Sequence, residues 1–212
     1  MEILKLINSG SLKLKNNNIN SYRIDSEILL AKILNKKREE LLINLDKKVS
    51  SKTIKNFNKL INRRSSKEPI AYILKEKEFW SKKFLVDKNT LIPRPETELL
   101  VEKIVNIYRN KNIHILDIGT GTGCILLSIL SELKNATGIG VDISQKAILV
   151  ANKNSLKHKL SGKAKFLRMS LTEIYGNKFD LIVSNPPYIK KKDIKNLEDD
   201  IKKFEPKLAL DG

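Results

Sequence analysis

Apolar residues recur at helical spacing through the first third of the chain. They are Ile3, Leu4 and Ile7; then Tyr22, Ile28, Leu29, Leu30, Ile33 and Leu34; then Leu41 and Leu42; then Ile54, Phe57, Leu60 and Ile61. The groups are separated by Asn, Ser and Lys clusters, so this period predicts a small all-α domain over residues 1–74. Asp25-Ser26 is the candidate start of its second helix, and the segment Arg63 to Pro69 ends the bundle. The period then changes. Residues 113–118, 137–142, 164–169 and 179–184 are short, apolar, β-branched runs, with helical patterns over 123–133 and 144–158. In the second helical pattern Ala147, Ile148, Ala151 and Leu156 supply the apolar positions. Strands alternating with helices predict an α/β fold with a parallel sheet. Between the two parts, Phe79, Trp80, Phe84, Leu85 and Val86 predict a short hairpin. Pro93 and Pro95 then favour extended backbone. Thr97 is placed to cap a helix starting near Glu98, with Leu99, Leu100, Val101, Ile104 and Val105 on its apolar face.

Two strand ends carry chemistry. After the run 179–184 comes Asn185-Pro186-Pro187-Tyr188. Each proline fixes its own φ and the second restricts the first, so the turn is stiff and neither proline nitrogen can donate. The Asn185 amide oxygen and the carbonyls of Asn185 and Pro186 can face outward as acceptors, and Tyr188 offers a flat wall. Such a turn suits a planar group bearing NH2. In open α/β sheets ligands sit beyond the carboxyl ends of the strands, where this turn falls. A lone Pro-Pro pair would only end a strand, but a second loop follows the same logic. Asp117 closes the run 113–118, and Gly119-Thr120-Gly121-Thr122-Gly123 leads into a helical pattern. Glycines permit a tight turn and close ligand approach. The next predicted strand ends in Asp142, a carboxylate suited to ribose hydroxyls. No Lys-Ser/Thr follows the last glycine, which excludes a Walker loop, and the third glycine comes one residue early for a dinucleotide fingerprint.

Together these features resemble the methyltransferases that use S-adenosyl-L-methionine. Asp117-x-Gly119-x-Gly121-x-Gly123 is similar to their first motif, Asp142 to the ribose-binding acid, and Asn185-Pro186-Pro187-Tyr188 to the clamp of the amino-methylating branch. The stretch Glu78 to Glu98, with Leu91-Ile92-Pro93-Arg94-Pro95-Glu96-Thr97-Glu98 at its core, narrows the choice. It resembles the interdomain region of the HemK/PrmC family, the glutamine methyltransferases of peptide-chain release factors. The ending Phe204-Glu205-Pro206 through Ala209-Leu210 is similar too.

The resemblance implies a Rossmann-like methyltransferase domain over 99–212, a hairpin and Pro-Arg-Pro linker over 75–98, and a substrate-docking role for the helical domain 1–74. The fold resembled has seven strands. Only the first four are expected here, so the chain reads as a C-terminally truncated product with an exposed fourth strand. The expected reaction is methylation of the side-chain nitrogen (N5) of the glutamine in a release factor's Gly-Gly-Gln motif. The resemblance makes Asn185, Pro186, Pro187 and Tyr188 catalytic. It assigns the cofactor to Asp117, Gly119, Thr120, Gly121, Thr122, Gly123, Asp142, Leu171 and Asn185. It assigns the substrate to the same clamp with Phe79, Phe84 and Arg94. Arg94 and Glu96, set among prolines, are alternatively ion-pairing residues that pin the loop over the cofactor. Where the family carries an acid after the third strand, this chain has Arg168-Met169-Ser170-Leu171, which puts Ser170 in the acid's place and makes Leu171 the apolar wall. Two other readings stay open: an amino-methyltransferase of DNA or RNA bases, and an inactive remnant that only binds a partner.

Composition adds limits. No run of about 18 apolar residues is present, so no membrane span is expected. The N-terminus lacks a secretory apolar core, and one cysteine cannot form an intrachain disulfide, which suits a cytoplasmic protein. Cys124 reads as a small helix-packing residue, and His114, His158 and Cys124 have no metal-ligand spacing. The net charge of +17 comes from lysines spread over the whole chain. That pattern reads as compositional bias, so direct nucleic-acid binding is not expected, and Lys190-Lys191-Lys192 reads as a solvated loop. A monomer is expected.

Overall fold

The apolar residues sort into two cores, and the chain divides accordingly into two units, Met1–Leu74 and Lys75–Gly212. The structure is a computed structural model and describes residues 1–174, 176 and 178–212.

The first unit contains α1 (Ile3–Asn16), α2 (Tyr22–Leu34), α3 (Arg38–Leu42), α4 (Ser51–Ser65) and α5 (Ile70–Leu74). Leu6, Ile7, Leu14, Leu29, Leu30, Leu41, Phe57 and Ile61 are buried at its centre. The Ser50 hydroxyl caps α4 by accepting from the Thr53 amide at 3.1 Å. Helix α2 begins at Tyr22, not at Asp25-Ser26. Asp25 is buried and takes the Arg64 Nε–H at 2.6 Å, while the Ser26 hydroxyl donates to the Ile7 carbonyl at 2.9 Å. A polar pair can start a helix or satisfy a core. Here the partners on α4 and α1 decide for the core.

The second unit opens with the antiparallel hairpin β1 (Glu76–Phe79) and β2 (Lys82–Leu85). Helix α6 (Glu98–Tyr108) follows a short 3-10 turn at Pro95–Thr97. Thr97 makes no capping hydrogen bond with its side chain, because that turn leads straight into the helix and leaves it no capping geometry. Then come β3 (His114–Ile118), α7 (Cys124–Glu132), β4 (Thr137–Asp142), α8 (Gln145–Lys157), β5 (Ala164–Arg168), β6 (Leu181–Ser184) and α9 (Asp199–Phe204). The strands β5-β4-β3-β6 form one parallel sheet in that order. Residues 124–130 of α7 are all buried, which explains a helix that is apolar almost all round. Helix α8 buries Ala147, Ile148, Val150 and Ala151 but leaves Leu156 69% exposed, so Leu156 is not a core position. Asn154 lies on the buried face instead. No described helix is long and apolar enough to cross a membrane.

Candidate active site

The loop from β3 to α7 is the base of the site. Gly119, Gly121 and Gly123 have φ of +71°, +55° and +77°, the left-handed region that side chains disfavour. The amides of Gly119 and Thr120 both donate to the Val141 carbonyl at 2.9 Å, fastening the loop to β4. A Cβ on Gly119 would meet nothing within 4 Å, so this face of the backbone is open to a ligand. Gly123 differs. Its Cβ would lie 3.0 Å from the Phe166 ring, so this glycine lets α7 start close against β5.

Asp142 ends β4 beside this loop. One carboxylate oxygen accepts from the Gly121 amide at 3.0 Å, the other from the Ser144 amide at 2.8 Å. A carboxylate has about four acceptor directions, so two remain for a ligand's hydroxyls. Asp117 sits beneath the loop, fully buried, and takes the Thr120 hydroxyl at 2.6 Å on one oxygen. Its other oxygen has no hydrogen-bond partner among the described residues. Burial pushes this carboxyl up to about 6, against the opposing pull of the Thr120 hydrogen bond. Cys124 is pushed up to about 12, again chiefly by burial, so it is a packing thiol and not a nucleophile.

A cavity of about 300 Å³ lies in front of the loop. Gly119, Thr120, Gly121, Thr122 and Asp142 form one wall, and Thr90, Pro93 and Arg94 another. Met169, Leu171, Asn185, Pro187, Pro206 and Leu208 complete it. A second cavity, of about 630 Å³, is lined by Glu96, Leu100, Pro186, Tyr188 and Ile201 among others. Asn185 and Arg94 are in the walls of both.

The structure therefore gathers most of the residues singled out from sequence, and displaces four. Asp117 supports the loop from below and Gly123 packs on Phe166, so neither lines the cavity. Phe79 and Phe84 are 1% and 0% exposed, and their rings meet edge to face within the core. They do not reach either cavity, because the hairpin's apolar face packs with α7 and His158 rather than opening to solvent. Arg94 is at the site, with its guanidinium donating to Glu205 Oε1 at 2.7 Å. Ser170 is turned to a different task. Its hydroxyl accepts from the Thr172 amide while its own amide donates to Glu173, a capping box for the 3-10 turn Leu171–Glu173. Met169, which sequence reasoning passed over, lines the cavity beside Leu171. The sequence pattern carried strand 164–169 through it and put the apolar wall at Leu171, whereas β5 ends at Arg168.

Comparison with known proteins bears on what this cavity serves. Residues 5–74 match the family model described as PrmC N-terminal domain, and residues 95–204 match the Methyltransferase small domain. The release factor glutamine methyltransferase of Buchnera aphidicola subsp. Baizongia pistaciae is 41% identical over 99% of this chain and 75% of its own length. The chain belongs to the release factor glutamine methyltransferase family. It is also 37% identical to the bifunctional methyltransferase of Rickettsia typhi, over 98% of this chain. It spans 44% of that relative's length, so it covers less than half of the bifunctional proteins it matches. The solved hMettl16 catalytic domain, in complex with MAT2A 3'UTR hairpin 6, is similar in fold. It has a TM-score of 0.50 and 16% identity over 61% of this chain and 50% of that one. For a release factor glutamine methyltransferase family member, the cavity fits the methyl donor on its own terms. Its volume is at the lower end of ligand sites, about 300–1,000 Å³. The loop presents bare glycine backbone, and Asp142 keeps free acceptor directions.

Proposed function

We propose that this chain carries the machinery that methylates the N5 side-chain nitrogen of the glutamine in a release factor's Gly-Gly-Gln motif, with S-adenosyl-L-methionine as donor. The observation that carries the proposal is the position of Asn185 in the walls of two adjoining cavities. The smaller takes the cofactor and the larger admits the acceptor, so the two meet at the Asn-Pro-Pro-Tyr turn. The similarity to release factor glutamine methyltransferases supports the acceptor. The proposal places the chain in the cytoplasm, with the helical unit 1–74 contributing to release-factor docking.

The chemistry asked of these residues is modest. A carboxamide nitrogen is a poor nucleophile because its lone pair is delocalised into the carbonyl. The Asn185 side-chain oxygen and the Pro186 carbonyl accept its two N–H groups, which orients the nitrogen and raises its electron density. Proline at 186 and 187 keeps these acceptors fixed. Tyr188, 79% exposed, provides a face for the flat amide. Asp142 holds ribose hydroxyls with its remaining acceptor directions, and Met169 and Leu171 give the adenine an apolar wall. When bound, the donor supplies a methyl on a positively charged sulfur, activated without any protein nucleophile. Once the carbon–nitrogen bond forms, the nitrogen loses a proton to water or through a carbonyl relay.

Incubation of the chain with S-adenosyl-L-methionine and a release factor, followed by peptide mass spectrometry, tests the proposal. A mass gain of one methyl on the Gly-Gly-Gln glutamine is expected. Methylation of DNA or RNA with an untouched release factor overturns it.

A further inference from the structure

Residues 205–212 make two kinds of contact that no part of the catalytic reading uses. At one end, Glu205 is 5% exposed although it is an acid. Its Oε1 takes the Arg94 Nη2–H at 2.7 Å, and its Oε2 takes the Ile92 amide at 3.4 Å. Both partners belong to the Pro-Arg-Pro strap that walls the smaller cavity. At the other end, the Ile189 amide donates to the Leu210 carbonyl at 3.2 Å and the Gly212 amide to the Ile189 carbonyl at 3.1 Å. Ile189 directly follows Tyr188. A Cβ on Gly212 would sit 2.6 Å from the Pro187 carbonyl oxygen, so the segment runs against the clamp turn itself. Between these ends, Pro206, Leu208 and Ala209 face the smaller cavity.

We infer that residues 205–212 are a clasp joining the Pro-Arg-Pro strap to the Asn-Pro-Pro-Tyr turn, with Glu205 as the positioning residue that closes it over the cofactor cavity. The inference rests on the reading of the smaller cavity as the donor's site. Its physical basis is that a buried carboxylate needs a partner and has one on a distant segment. The pair therefore fixes two otherwise unconnected loops in one arrangement. Burial pushes the Glu205 carboxyl above its ordinary range, and Arg94 beside it acts in the opposite direction. With the strap fixed at one end and the turn at the other, the wall formed by Pro206 and Leu208 has no freedom to swing away. Cofactor binding and amide orientation then depend on a residue that touches neither.

Glu205→Gln keeps the shape and an acceptor but removes the charge. By amide hydrogen exchange on the 212-residue chain, it is expected to speed exchange in the strap, 89–97, and at Ile189 and Gly212, with α7 unchanged. By calorimetry it is expected to weaken S-adenosyl-L-methionine binding about tenfold, the loss of a charged hydrogen bond. Arg94→Met, on the more exposed side of the pair, is expected to give the same exchange pattern. The double variant is expected to be no worse than either single one. Exchange in the strap and at Ile189 and Gly212 that stays at wild-type rates in both single variants, with α7 intact, overturns the clasp. If the wild-type chain binds no S-adenosyl-L-methionine, the reading of the cavity fails, and the exchange pattern still judges the clasp.

Discussion

The Asn154 carboxamide makes two hydrogen bonds with the backbone of Leu85, accepting from its amide at 2.7 Å and donating to its carbonyl at 3.0 Å. Its second N–H donates to the Thr122 carbonyl at 2.9 Å, in the glycine loop. One fully buried side chain on α8 thus ties the hairpin to the glycine loop. Asn154→Leu leaves these backbone groups without partners. A loss of at least about 3 kcal/mol is expected, since three backbone groups are left unsatisfied at about 1–3 kcal/mol each. Urea denaturation checks it. Asn154→Asp is expected to cost at least as much, since a carboxylate cannot donate to either carbonyl.

Asp117 gives the second unit, Lys75–Gly212, a pH dependence of its own. Its carboxyl is raised to about 6 in the fold by burial. The stability it contributes is therefore complete below the unfolded value, about 4, and is lost as pH rises through about 6. Asp117→Asn removes the titration. Between pH 4 and pH 7 the difference in unfolding free energy between variant and wild type is expected to move in the variant's favour by on the order of 3 kcal/mol. Denaturation midpoints measured across that range check it. A constant difference would show that the burial of Asp117 does not govern its charge.

The hairpin turn holds strain that can be relieved. Trp80 and Ser81 have φ of +51° and +53°, as a two-residue turn with both central residues left-handed requires. Trp80 is retained by its contacts, since its amide donates to Glu98 at 2.9 Å and its indole N–H to Glu132 at 3.0 Å. Ser81 has no such tie among the described residues. Ser81→Gly is expected to raise stability by about 0.5–1 kcal/mol, the left-handed penalty less the added freedom of the unfolded chain. Trp80→Gly is expected to lower it. Thermal melts of the two variants separate these signs.

The order of elements was legible because each unit's pattern is dictated by its own burial. The α7 run Cys124 to Leu130 is apolar almost all round because it is buried all round. The glycine loop and the Asn-Pro-Pro-Tyr turn were legible as backbone constraints, and both reach the cavity walls. Partners distant in sequence were not. Asp25 looked like a helix start because Arg64, which pairs with it, lies 39 positions away. Phe79 and Phe84 looked available to a substrate because nothing local shows that α7 and His158 cover the hairpin. Asn154 has no motif at all, and the Phe204-Glu205-Pro206 ending marks Glu205 only by resemblance, since the value of both lies in carbonyls, amides and a guanidinium brought to them by the fold.

Cofactor holding and amide orientation are expected to separate by mutation. Asp142→Ala removes the acceptor proposed for ribose hydroxyls and also frees the Gly121 amide. Its S-adenosyl-L-methionine affinity is expected to fall by about 1.5–3 kcal/mol, or roughly 10–100-fold, the range for hydrogen bonds to charged groups. Asn185→Ala is expected to leave that affinity within a few fold and to lower kcat, because it acts on the reacting nitrogen. Calorimetry and steady-state kinetics read the two effects independently. Equal affinity in Asp142→Ala and wild type would remove the role given to the acid.

The sheet's stability is expected to be uneven because of where β6 sits. It pairs with β3 on one side, and among the described residues nothing pairs with its other side. Ile182 on this strand is 60% exposed, so an apolar side chain as well as a row of backbone groups faces water. Central β3 is held from both sides by β4 and β6, with Ile115 and Leu116 buried. The helices of residues 1–74 rely on contacts within their own helices and a closed core around Phe57 and Leu29. Opening β6 breaks one ladder and uncovers Val183, its one buried side chain, so its free-energy cost is the smallest of the three. Hydrogen exchange on the whole chain is expected to show fast exchange over 181–184, slow exchange in β3, and protection of α1, α2 and α4 that does not depend on either. Protection of 181–184 equal to that of β3 would mean that the open side of β6 is covered in solution, by another copy of the chain or by a segment closing on it. The strand would then be interior rather than an edge.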